Sequence, residues 1–103
     1  MNYKLAKQLK DAGFPETTRI GFELNLHRYV DVDGISHPFL QELIGELSVS
    51  WMIALDPNYK DEKEKYIAIA GQYDGIWEYT ETGGTLEEAV AKLLLKLLDG
   101  RKK

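Results

Sequence analysis

The sequence predicts an α+β domain: a three-layer α/β/α sandwich around an antiparallel β-meander, with elements in the order α-β-α-β-β-β-α. Three observations carry that expectation. Residues 83–100, GGTLEEAVAKLLLKLLDG, set Leu86, Ala89, Val90, Leu93, Leu94 and Leu97 on one stripe at the helical period. Residues 48–55 and 66–70 are apolar at nearly every position, and strands that are apolar front and back need covers on both faces of their sheet. The turn signal Asp74-Gly75 joins strands, and Gly83-Gly84 returns the chain to the last helix.

The elements follow in order. Asn2 caps a first helix whose inward positions are Leu5, Ala6, Leu9 and Ala12, with Lys4, Lys7 and Lys10 turned to water. Gly13 is expected in the left-handed region, with Phe14 folding back on Leu9, and Pro15 forbids continuation. In residues 19–32, Ile20, Phe22, Leu24 and Leu26 alternate with Gly21, Glu23, Asn25 and His27, which reads as a strand with one wet face. Asp33-Gly34 is a turn signal, so residues 29–35 form a small hairpin or an extended arm.

His37 before Pro38 is biased to extended backbone, with Pro38 preset for the first helical position. The helix that follows, to about Leu47, has Leu40, Leu43, Ile44 and Leu47 inward and Gln41, Glu42 and Glu46 outward. In the strand of residues 48–55, Val49, Trp51, Ile53 and Leu55 share a face. Residues 56–65, DPNYKDEKEK, are a charged exposed loop, and residues 76–80 are the last strand. Thr85 and Glu88 form a reciprocal capping box that starts the final helix at Leu86, and Gly100 offers it a left-handed end. Residues 101–103 are expected to fray.

The 103 residues make a single domain, 1–103. Seventeen acidic against thirteen basic residues give a net charge of −4, which argues against nucleic acid or an anionic membrane as partner. With no cysteine, disulfides, thiolate nucleophiles and thiolate metal sites are excluded. No apolar run approaches the length of a membrane span, and residues 1–13 lack the apolar core of a signal peptide, so a cytoplasmic location is expected.

Chemistry-bearing residues are sparse. His27, Asp31, Asp33 and His37 bunch together, but their spacing matches no metal template, and a calcium-loop reading would place Tyr29 and Leu40 where carboxylates are required. Ser36, Ser48 and Ser50 sit in no nucleophile elbow. Glu62 and Glu64 lie in the charged loop, where water screens them. Glu87 and Glu88 would repel a phosphate at Gly83-Gly84. Trp51, Trp77, Tyr66, Tyr73 and Tyr79 lack the interleaved basic residues of a nucleic-acid stacking platform and are expected to pack in the core or at its rim.

No catalytic residue, metal or cofactor is therefore expected, and an enzyme would need a polar pocket where His27 and His37 converge. Leu95 and Leu98 widen the apolar arc of the last helix beyond what one sheet face needs. They are the expected contact with a protein partner or a second copy, a homodimer through the C-terminal helix.

AGFP at residues 12–15, HPFLQELIGEL at 37–47, the strand bearing Trp51 and GGTLEEAVAKLLLKLL at 83–98 resemble a group of small uncharacterised phage and prophage proteins. Those proteins carry a PTLSELIEA-like helix and a GKTPEEAVARLWLAL-like C-terminal helix, in an arrangement similar to the phage ABA-sandwich domain. Leu86 stands where that pattern has proline, and residues 19–36 and 56–65 have no counterpart in it. The resemblance implies a mobile-element accessory protein with no catalytic residues to carry over. A second resemblance, to antitoxins of the HicB type, rests on a three-stranded meander followed by GxTxEEA on a helix, and implies a partner toxin over one surface with a DNA-binding segment beyond the helix. Helix–strand–strand–strand–helix is also the order of RNA-binding modules for double strands, but Thr85, Leu86, Glu87 and Glu88 stand where those carry phosphate-gripping lysines.

Overall fold

Asn2 opens the first helix, α1 (Tyr3–Asp11), in a computed structural model that describes residues 2–58, 60, 62–72 and 77–101. The Asn2 side chain accepts the Leu5 N–H at 2.8 Å, satisfying one of the donors a helix start leaves open. Gly13 ends the helix at φ 95°, with its own N–H on the Lys10 carbonyl and the Phe14 N–H on that of Leu9. This is the expected Schellman ending, and it buries Phe14 beside Leu5 and Leu9.

The next stretch departs from expectation. Instead of a strand over residues 19–32, Thr18 caps a short helix, α2 (Arg19–Glu23), by accepting the Gly21 N–H at 3.0 Å. Alternation is satisfied by a strand only if one face is buried, and here Phe22 and Leu24 face solvent. The chain then forms a small hairpin, β1 (Tyr29–Val30) with β2 (Ser36–His37), paired Tyr29↔His37 and Val30↔Ser36. Gly34 turns it at φ 78°.

Helix α3 (Leu40–Ser48) starts two residues beyond Pro38. It buries Leu43 and Leu47 as expected, and also Glu42, which the apolar stripe places outside. Because α3 runs to Ser48, Val49 is exposed rather than inward, and the meander starts later than expected, at β3 (Met52–Pro57). β4 (Tyr66–Gly71) pairs antiparallel with β3, and β5 (Trp77–Gly83) with β4, in the order β3-β4-β5. The Asn58 N–H closes the first hairpin on the Lys65 carbonyl at 2.7 Å. The turn expected at Asp74-Gly75, and Ile76, lie outside the described residues.

Helix α4 (Leu86–Arg101) is the centre of the core, with Ala89, Val90, Ala91, Leu93, Leu94 and Leu97 buried. Thr85 Oγ1 accepts the Glu88 N–H at 3.1 Å, while Glu88 reaches back to the Gly84 N–H at 3.3 Å, one residue short of the expected box. Gly83 is required where β5 meets α4, because a Cβ there would lie 2.5 Å from the Ala89 backbone nitrogen. Gly100 continues the helix to Arg101 instead of ending it.

The α+β class and the antiparallel meander hold, but the element order is α-α-β-β-α-β-β-β-α and the layers are stacked differently. One side of α4 packs on β4 and β5, the other on α3 and α1, so the layers run sheet, α4, then α1 and α3. Ile53, Leu55, Ala68, Ala70 and Tyr79 share the face beneath α4. On the reverse face Met52, Ala54, Ile67 and Ile69 are half-buried, and no helix lies over them among the described residues. The expected cover on both sides thus belongs to α4 rather than to the sheet.

Covering α4 from two directions also accounts for its wide apolar arc. Leu95 and Leu98 are half-buried and pack against the shared core. Leu93→Ala is expected to lower the unfolding free energy by about 2–5 kcal/mol in urea titrations, and Leu95→Ala by clearly less. Equal losses would show that Leu95 is as much part of the core as Leu93.

Candidate functional site

Residues 18–37, which carry only the short helix α2 and the two-residue strands β1 and β2, form an arm, and one carboxylate of α3 holds it to the body. Glu42 sits at the third position of α3, so it reaches back to accept the Phe39 N–H at 3.0 Å. The same group takes Arg28 in a fork, Nε to Oε2 at 2.8 Å and Nη2 to Oε1 at 3.0 Å. The Thr18 hydroxyl donates to Oε1 at 2.8 Å while its oxygen caps α2. Arg28 also donates to the Pro15 carbonyl at 3.0 Å and to Ser36 Oγ at 3.3 Å, and its guanidinium lies 5.7 Å from the centre of the Phe14 ring.

With side chains 9% and 3% exposed, Arg28 and Glu42 make an ion pair removed from water. Such a pair survives only if the donors and acceptors around it are filled, and no buried side-chain N or O is left unpaired among the described residues. Burial pushes the Glu42 carboxyl up. The bonds from Arg28, the Phe39 N–H and Thr18, with the guanidinium charge, outweigh burial and hold it below the usual carboxylate range.

A second pair rigidifies the hairpin. His37 Nε2 lies 2.9 Å from Asp31 Oδ2, and Asp31 Oδ1 accepts the N–H groups of Asp33 and Ile35. Desolvation raises Asp31, but the His37 bond, the two backbone donors and the imidazole charge lower it more. Tyr29 stands edge-on to the His37 ring at 5.1 Å.

His27 and His37 do line one open cleft of about 660 Å³, together with Tyr29, Phe39 and Glu87. Two of its polar side chains are already engaged, His37 with Asp31 and Arg28 with Glu42 and Ser36. Away from the cleft, the Ser48 hydroxyl donates to the Gly45 carbonyl. Of the four residues weighed and set aside as metal ligands, Asp31 and His37 meet, Asp33 contributes its backbone N–H, and His27 is exposed. Among the described residues no three histidines or carboxylates are placed to hold a metal ion.

Of the aromatic residues weighed as a stacking platform, Trp51 and Tyr79 pack edge to face at 5.4 Å, Trp77 is exposed, and Tyr73 lies outside the described residues. No helix among the described residues is long and apolar enough to cross a membrane. Comparison with known proteins returns no match: no family model fits the chain, and no curated protein and no solved structure matches it.

Sequence reasoning missed Thr18, Arg28 and Glu42, the residues that shape the arm. The available signal was Glu42 at the third helical position, where a carboxylate serves the helix start whether or not it faces water.

The lowered carboxyls fix the sign of the acid dependence. The unfolded chain binds protons on Glu42 and Asp31 at a higher pH than the folded chain does, so their stabilisation is full above the ordinary carboxylate pKa. It is lost as pH falls through the lowered folded values. Urea midpoints are expected to fall steeply below about pH 4.5, and Glu42→Gln should flatten that fall while lowering the midpoint at neutral pH. An unchanged acid slope in Glu42→Gln would remove the pair from the account.

Proposed function

We propose that the chain is a non-enzymatic accessory protein of phage or prophage type that acts by protein–protein contact, and that the arm of residues 19–37 is its contact surface. The observation that carries this is the exposure of large apolar side chains along the arm. Phe22 is 81% and Val32 99% exposed, and Leu24, Tyr29 and Val30 are more than half exposed. Single apolar residues on a surface need no explanation, but a run of them on one anchored segment is the mark of a binding site.

Each Val, Leu or Phe buried against a partner gains roughly 1.5–3 kcal/mol. The Glu42 anchor lowers the ordering cost that a flexible arm would impose on binding. The resemblance of the two helices to phage and prophage proteins supports the origin. A second copy meeting at Leu95 and Leu98 is the self-contact form of the same reading.

A HicB-like antitoxin or RNA-binding module is the second reading, and one observation favours it: α4 follows the β3-β4-β5 meander directly, with Thr85 at its start. Fluorescence anisotropy with labelled duplex RNA and DNA at about 50 and 200 mM salt separates the two. Protein contact predicts no saturable binding, whereas binding that weakens steeply with salt would establish the second reading. Peptides selected by display against the immobilised protein should be lost with Phe22→Ser plus Val32→Ser and kept with Trp77→Ser. Binders indifferent to the arm substitutions would contradict the assigned surface.

A further inference from the structure

A smaller and more enclosed site lies away from the arm cleft, where the turn after α1, the end of α3 and the C-terminal part of α4 meet. Phe14, Leu47, Trp51, Leu94, Leu97 and Leu98 surround a slot of about 160 Å³. An apolar cavity of about 150 Å³ is large enough to admit a benzene ring. The slot is therefore the size of one aromatic ring, and Trp51, fixed edge-on against Tyr79, makes one of its walls.

Its lining carries one ionisable group, Glu46. Glu46 is half-buried and, among the described residues, has no hydrogen-bond or ion-pair partner. Glu42, Glu64 and Glu81 are by contrast taken up by Arg28, Lys92 and Lys96, and Glu87, also half-buried and without such a partner among the described residues, lines the separate arm cleft. Glu46 also lies in the last turn of α3, which holds no basic residue, so the negative end of the helix dipole adds to its charge. A slot of mixed lining, with Phe, Leu and Trp side chains beside an unneutralised carboxylate, selects a ligand with one ring and one positive charge, because attraction strengthens where water is partly excluded.

We propose that this slot binds a small arylalkylamine, with its ring among Leu47, Trp51 and Leu97 and its ammonium group at Glu46. On this assignment Leu98 forms the rim of a ligand site. The test uses Trp77→Phe protein, in which Trp51 is the remaining indole, titrated at pH 7 with 2-phenylethylamine and with its neutral analogue 2-phenylethanol. A saturable change in Trp51 emission is expected with both, and the amine should bind roughly tenfold tighter.

Adding Glu46→Gln should abolish the amine preference and leave alcohol binding unchanged, and adding Leu98→Phe should weaken both ligands by filling the slot. Thermal melts of each variant confirm that it is folded before titration. Equal affinity for amine and alcohol, an amine preference that persists in Glu46→Gln, or no saturable change with either probe would overturn the proposal.

Discussion

The Glu42 carboxylate is the interaction on which the shape of the first half of the chain depends. It holds the Thr18 cap of α2, the Arg28 guanidinium and the N-terminus of α3 at once. Through Arg28 it reaches the Pro15 carbonyl, Ser36 and the Phe14 ring. Without such an anchor, a segment with a five-residue helix and a two-residue strand pair has too few backbone bonds of its own to hold one conformation. A buried ion pair is weak as a source of stability but strong as a specifier, because its geometry admits few alternatives. The arm therefore stands in one place with Phe22, Leu24, Tyr29, Val30 and Val32 outward and Ile35 buried.

The second half of the molecule follows a different logic, that of apolar area. α4 is enclosed by the sheet on one side and by α1 and α3 on the other, so it needs apolar residues around most of its circumference. Ala68 and Ala70 keep β4 thin beneath it, and Gly83 lets the end of β5 touch its first turn. Lys92 and Lys96 on its remaining side pair with Glu64 and Glu81. The sheet then needs a helix on one face alone, and its reverse face carries Met52, Ala54, Ile67 and Ile69 half-buried.

Local chemistry was legible in the sequence, and long-range pairing was not. The Asn2 cap, the Gly13 ending with Phe14 folded back, the start of α4 at Leu86 and the meander could be read because each depends on neighbours a few residues apart. Residues 19–32 were misread because Ile20, Phe22, Leu24 and Leu26 alternate cleanly, yet Thr18 caps a helix there and the arm leaves Phe22 and Leu24 in water. Glu42 falls on the outer face of its helix by periodicity alone. What buries it is Arg28, fourteen residues upstream, whose approach no local pattern encodes. The layer order was missed for a related reason: an apolar surplus shows that protein covers an element, but does not show which element is covered twice.

Native-state hydrogen exchange on Glu42→Gln tests the anchoring of the arm most directly. If one carboxylate holds residues 18–37 in place, the amides of Gly21, Asp31 and Ile35 should exchange faster in the variant while those of α4 and β4 keep their protection. Unchanged protection in the arm, or an equal loss of protection along the whole chain, would contradict the account.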